Sequence, residues 1–107
     1  MANPEPEILP DAARKAGAAV VGTGRSDFSN QINNVLAFPG IFRGALDACA
    51  TKINDTMKIA AAHAIANCVP RPHRNKILPG ILDRGVTRAV AKKVAEAAEI
   101  SGCQQRI

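Results

Sequence analysis

The sequence predicts an α/β domain in which short parallel strands are covered by helices, and three observations carry that prediction. The run Ala18-Ala19-Val20-Val21 is apolar and partly β-branched and closes on Gly22-Thr23-Gly24, the pattern of a strand buried on both faces of a parallel sheet. Two later stretches repeat their apolar residues every three or four positions, as helices with one buried face do. The 107 residues, 47% hydrophobic and 21% charged, suffice for one core and one domain spanning residues 1–107.

The elements follow in order. Pro4, Pro6 and Pro10 each remove a backbone donor, so residues 2–10 form a turn or extended segment. Pro10 and Asp11 suit the start of a short helix through Lys15, with Gly17 as its left-handed stop. In open α/β sheets, ligands collect beyond the carboxyl ends of strands, so chemistry is expected in Gly22-Thr23-Gly24-Arg25-Ser26-Asp27. From Asn33 to Ala50 the apolar residues Val35, Leu36, Phe38, Ile41, Phe42 and Leu46 are interrupted at Pro39-Gly40, which predicts two short helical pieces with a kink between them.

Asn54 is a good N-cap for a helix running to about Cys68, with Met57, Ala60, Ala61, Ala64, Ile65 and Cys68 on one face. Pro70-Arg71-Pro72-His73-Arg74-Asn75 is a loop, and Ile77-Leu78-Pro79-Gly80 a short apolar stretch ending in a turn. A last helix from Val86 to Ser101, stopped by Gly102, buries Val86, Val90, Val94 and Ala97.

Composition excludes several classes of function. Fourteen Lys and Arg against nine Asp and Glu give a net charge of +5, which admits a phosphate or nucleic-acid partner. With three Phe and no Trp or Tyr, however, the stacking platforms of single-strand and RNA-binding modules are missing, which argues against nucleic acid. No apolar run approaches the ~20 residues that span a bilayer. No basic stretch followed by an apolar one marks a secretory signal, so the cytoplasm is the expected compartment, with an organelle matrix left open. Cys49, Cys68 and Cys103 form an odd set without a Cys-x-x-Cys pair and are expected to be reduced, mostly packed thiols.

Each polar constellation has a plain structural use beside a functional one. Gly22-x-Gly24 resembles the opening of a dinucleotide fingerprint, but Asp27 stands at the third glycine position, and a tight turn accounts for the same glycines. His63 and His73 with Cys49 and Cys68 do not make a zinc-ligand spacing. Ser26, Asp27 and Ser29 lack a base in sequence and suit turn chemistry instead. Arg84, Arg88 and Lys92 form a solvated helix face, with Lys92 and Glu96 spaced for an ion pair. Asn30-Gln31-Ile32-Asn33-Asn34 offers several amides at a strand-end cleft, able to bind carboxylates and carbonyls without titrating. N-capping of the next helix by Asn33 or Asn34 fits the same spacing, and the two roles are compatible.

The run Thr23-Gly24-Arg25-Ser26-Asp27-Phe28-Ser29-Asn30-Gln31-Ile32-Asn33-Asn34-Val35-Leu36-Ala37-Phe38-Pro39-Gly40-Ile41-Phe42-Arg43-Gly44-Ala45-Leu46-Asp47 closely resembles the bacterial-type malic enzymes. Met1-Ala2-Asn3-Pro4 with Pro6-Glu7-Ile8, and Ile53-Asn54-Asp55 with Met57-Lys58-Ile59-Ala60-Ala61, agree with the same family, so the resemblance spans nearly the whole chain. Two stretches depart from it: Ser29 stands where the family usually has proline, and Gly80-Ile81-Leu82-Asp83-Arg84-Gly85 replaces a proline-rich stretch. The first is expected to loosen a loop near the site, and the second leaves the C-terminal packing open.

The resemblance implies the C-terminal half of a Rossmann-type NAD(P)-binding domain, a fragment of an enzyme that oxidises and decarboxylates malate to pyruvate and carbon dioxide while reducing NAD or NADP. It maps the substrate-contacting asparagines to Asn3 and to Asn33 and Asn34, with Asn34 favoured, and puts Asn3 and Gly24 beside the cofactor. It places the proton-transferring lysine and tyrosine, the carboxylates for Mg or Mn, and the glycine-rich fingerprint upstream of the matched region, so no catalytic or metal-binding residue is expected here and the segment alone should be inactive. The remainder of the enzyme chain and a second copy in a homo-oligomer are the expected partners. The alternative is a non-catalytic binding or assembly module that keeps the scaffold and uses its basic face.

Overall fold

The computed structural model describes residues 5–102. Helix α1 (Pro10–Lys15) leads into an irregular segment; a single 3-10 turn (Asn34–Leu36) then precedes α2 (Phe38–Asp47), α3 (Asp55–Asn67) and α4 (Arg84–Ile100). Helix α4 lies between α2 and α3 and packs against both, whereas α2 and α3 touch little. The core is therefore a three-helix arrangement centred on α4.

Local chemistry sets the helix ends. Pro10 occupies the first turn of α1, where its missing N–H costs nothing, and Gly17 at φ 111° takes the left-handed stop. The Asn54 side chain accepts from the Met57 N–H at 2.9 Å and caps α3 as the sequence predicts. Helix α4 begins two residues before the predicted Val86, because Asp83 caps it by accepting from the Gly85 N–H at 2.9 Å. At its far end Gly102 adopts φ 73°.

The Asn33–Ala50 region is two helical pieces, but their junction is Ala37, not Pro39-Gly40. Pro39 sits in the first turn of α2, the one place in a helix that tolerates it. Gly40 continues the helix for a reason outside the segment: a Cβ there would stand 2.6 Å from Val90 Cβ and 3.0 Å from the Thr87 carbonyl oxygen. One turn on, a Cβ on Gly44 would stand 2.5 Å from the Ala91 carbonyl oxygen and 2.8 Å from Val94 Cβ. Two glycines four residues apart thus let the α2 backbone rest directly on α4.

Met57, Val86, Val90 and Val94 are the largest fully buried side chains, joined by Ile41, Ala48, Ala61, Ala64, Ala97 and Ala98. Removing each valine from water is worth about 1.5–3 kcal/mol. The predicted faces of α3 and α4 are the observed ones, with Ala60, Ile65 and Cys68 partly buried against the same core. The Cys68 thiol donates to the Ala64 carbonyl at 3.2 Å, and burial, reinforced by the charge of Asp83, pushes its pKa up. Arg84, Arg88 and Lys92 are exposed, and Glu96 pairs with Lys93 at 3.4 Å in place of the predicted Lys92. The replaced stretch at Gly80–Gly85 supplies the Asp83 cap of α4.

The expected strand at Ala18–Val21 is not formed. Among the described residues there is no strand, only an isolated parallel bridge between Thr23 and Gln31, and Ala18, Ala19 and Val20 are exposed. A strand gains its stability from a paired neighbour, and no described segment extends alongside this run. On the outer side of α2, Phe38 and Phe42 stack with ring centroids 5.7 Å apart, and with Leu46 they form an exposed apolar ridge beside the Arg43–Asp47 ion pair.

Gly44→Ala tests the backbone contact. Helix propensity alone favours alanine by about 1 kcal/mol. Overpacking against an immovable carbonyl costs about 1–3 kcal/mol or more and should win. A lowered urea midpoint is expected; a raised one would show that α2 and α4 stand further apart.

Candidate functional site

The segment after α1 is folded back on itself. The Ile32 N–H donates to the Thr23 carbonyl at 2.8 Å, and the Thr23 N–H to the Asn30 carbonyl at 3.4 Å. The Gln31 side-chain amide donates to the Gly24 carbonyl at 3.4 Å. Gly22 permits this close approach, since a Cβ there would lie 2.8 Å from Ile32 Cδ1 and 3.1 Å from the Asn30 carbonyl oxygen. In this structure Gly22 and Gly24 serve a tight turn, the simpler of the two uses open to them.

Asn30 fastens this turn to the 70–77 loop. It is 6% exposed and adopts φ 57°, a left-handed conformation that asparagine tolerates better than most residues. Its side-chain amide donates to the Val21 carbonyl at 3.0 Å and to the Arg74 carbonyl at 2.7 Å, while its side-chain oxygen accepts from the Ile77 N–H at 3.0 Å. Both amide hydrogens and the oxygen are used, and three backbone groups from separate places are satisfied at once. Nothing local in the sequence separates Asn30 from the asparagines after it; its partners lie 44 and 47 residues away.

Between the two loops opens a cleft of about 290 Å³ lined by Ser26, Phe28, Asn30, Asn75, Lys76 and Ile81, among others. Arg14 of α1 bridges two of the lining residues by donating to Asn75 Oδ1 at 3.2 Å and to Ser29 Oγ at 3.5 Å. Arg25 donates to both carboxylate oxygens of Asp27, at 2.9 and 2.7 Å, and its guanidinium lies 5.3 Å from the centre of the Phe28 ring. Hydrogen bonding to Arg25 holds the Asp27 carboxyl below the usual carboxylate range. Ser29 does not leave this loop loose: its neighbour Asn30 is the best-tied residue in it.

Of the predicted site residues, Asn33 and Asn34 stand just past this turn and neither lines the cleft. Asn33 Oδ1 accepts from the Val35 N–H at 3.0 Å and caps the 3-10 turn, the structural use its spacing allows. Asn34 is exposed, and its side-chain amide has no hydrogen-bond partner among the described residues. Gly24 lends its carbonyl to Gln31. Asn3 and Cys103 lie outside the described residues. His63 and His73 are exposed, as is Cys49, a free thiol; Cys68 is also free and half-buried. Among the described residues no group of three His, Cys, Asp or Glu is placed to hold a metal ion. Among the described residues no helix is long and apolar enough to cross a membrane.

Two outcomes follow from this geometry. Asn30→Ala strands three part-buried backbone groups and leaves a Cβ residue at positive φ, so a loss of about 2–3 kcal/mol in urea unfolding is expected. Asn30→Gly, free of the backbone strain, should lose about 1 kcal/mol less; equal losses would show that the hydrogen bonds alone matter. Because Asp27 is held below its unfolded pKa, its ion pair stabilises fully above the unfolded value and is lost as pH falls through the folded one. Any Tm difference between wild type and Asp27→Asn seen at neutral pH should vanish in strong acid; a difference that persists there would assign it to something other than the charge.

Residues 17–99 match the family model described as "Malic enzyme, NAD binding domain". The chain is 62% identical over 104 residues to the bifunctional malic/malolactic enzyme of Bacillus subtilis, covering 95% of this chain and 25% of that protein. It is 50% identical over 108 residues to the NAD-dependent malic enzyme of Geobacillus stearothermophilus, covering 99% and 22%. The crystal structure of the malic enzyme from Pyrococcus horikoshii superposes with a TM-score of 0.92 at 54% identity, over 98% of this chain and 24% of that one. The chain thus spans about a quarter of the length of the proteins it matches. With most of its length inside the family model and its backbone reproduced in a solved relative, the chain belongs to the malic enzyme family, within the NAD-binding domain.

Proposed function

We propose that these residues form one portion of an enzyme that oxidises and decarboxylates malate to pyruvate and carbon dioxide with reduction of NAD or NADP. The observation that carries this reading is the 62% identity over 95% of the chain to a protein named for malic and malolactic activity. Relatives named for NAD and for NADP both match, which fits either cofactor.

The part played by this segment is to position, not to transfer protons. The Asn34 amide, exposed and unspent, would donate to malate's carboxylate or hydroxyl without adding charge. Asn33, its oxygen committed to the cap, keeps an amide free to donate on the same side. Asn3 would complete this wall, and Gly24 would border the cofactor. A bound dinucleotide would supply the hydride acceptor, and a divalent metal held by residues outside this segment would polarise the substrate. The metal ligands and the proton-transferring groups would come from the remainder of the enzyme chain, so this portion alone would be inactive.

The same reading gives the exposed segments a use. Ala18–Val21, with Val20 46% exposed, would join a parallel sheet whose other strands come from the rest of the domain, restoring the α/β architecture of the sequence prediction. A homo-oligomer in the cytoplasm remains the proposed state of the full enzyme.

In the full enzyme, Asn34→Ala should raise the KM for malate or lower kcat by about tenfold or more, as loss of an orienting hydrogen bond does. Steady-state kinetics with malate varied at saturating cofactor measures this. Unchanged malate kinetics would remove Asn34 from the substrate pocket.

A further inference from the structure

Segment 30–34, which carries the proposed malate-orienting amides, is held from two sides. On one side residues 30–32 lie against Thr23 and Gly24 through the Thr23 N–H to Asn30, Ile32 N–H to Thr23 and Gln31 to Gly24 hydrogen bonds. On the other side the part-buried tie is Asn30, which reaches the Arg74 carbonyl and the Ile77 N–H, beside exposed contacts in which Ser29 Oγ donates to Asn75 Oδ1 at 3.5 Å and Arg14 bridges the same two residues. That far loop is itself closed: His73 and Lys76 exchange backbone hydrogen bonds of 3.2 and 2.8 Å, and the Asn75 N–H donates to His73 Nδ1 at 3.3 Å. It is a turn closed by its own hydrogen bonds, and it carries none of the residues assigned to substrate.

We infer that Asn30 is a positioning residue for the malate site, acting through Asn34: by pinning the segment to the 73–77 turn it sets where the Asn34 amide stands. This rests on the reading of Asn34 given above. The span from Asn30 to Asn34 is at most about 14 Å of extended chain, so little slack separates the tie from the amides. Asn33 is then locked to the following turn by its own cap, which transmits the position of residue 30 forward. A shift of about 1 Å in an orienting group is enough to cost on the order of a hundredfold in rate.

The test uses the full enzyme. Asn30→Gly accepts the positive φ and removes all three side-chain bonds. It should lower kcat/KM for malate by about tenfold or more while leaving the KM for NAD(P) within about twofold, since only the malate amides depend on the tie. Because Asn30 works through Asn34, adding Asn30→Gly to Asn34→Ala should cause little loss beyond that of Asn34→Ala alone. Multiplied losses in the double variant, or equal rises in both KM values, would overturn the inference. Should Asn30→Gly not fold, amide exchange at Ile77 in the wild-type enzyme takes its place: malate with metal and without nucleotide should slow it by about threefold or more, and an unchanged rate overturns the coupling. If Asn34→Ala is itself silent, the reading of the substrate wall falls and the inference with it. If Asn34→Ala impairs malate use and Asn30→Gly does not, the wall stands and the positioning role is wrong.

Discussion

One asparagine side chain decides the shape of the loop half of this molecule. Asn30 satisfies three backbone groups that no regular element could serve, because the segments they belong to, at Val21, Arg74 and Ile77, run in no common register. Buried backbone polar groups must find partners, and where no ladder is available a side-chain amide with two donors and an acceptor is the most economical substitute. The cleft between the 26–31 and 75–81 segments exists because this tie holds its two walls together. Arg14 adds weaker, exposed contacts to the same junction.

The helical half obeys a different constraint, the distance of closest approach. Gly40 and Gly44 leave no room for side chains between α2 and α4, so Val90 and Val94 pack onto main chain. That contact fixes the height of α2 over α4, and with it where α2 begins at Phe38. The loop half and the helical half meet at Asn33 and Asn34, where the polar segment passes into the core.

Much of the helical half was legible in the sequence. Helix α3 carries its own cap and a face repeated every three or four residues, and α4 carries an apolar stripe and a terminal glycine; such signals are local and survive without context. The kink at Pro39-Gly40 was misread because proline and glycine together usually interrupt a helix, whereas here proline lies in the first turn and glycine answers to Val90, fifty residues away. The strand at Ala18–Val21 depends on a neighbour and is absent without one. Within the candidate site the asparagine run was visible as chemistry, and Asn33 took the capping role that its spacing permitted. Asn30 was not distinguished from the others, because its assignment comes from a distant loop and not from its sequence neighbours. The family resemblance, by contrast, was carried by a long contiguous run and is matched by the relatives.

Helix α2 shows how unevenly such a segment tolerates change. On its inner side an added methyl group has nowhere to go, while on its outer side Phe38, Phe42 and Leu46 present a surface to which water is a poor solvent. Only the ridge of Arg43 and Asp47 is polar. Substitutions toward larger residues are barred on one face by contact and discouraged on the other by solubility. The sequence of this helix is therefore squeezed from both sides, even at positions far from any substrate.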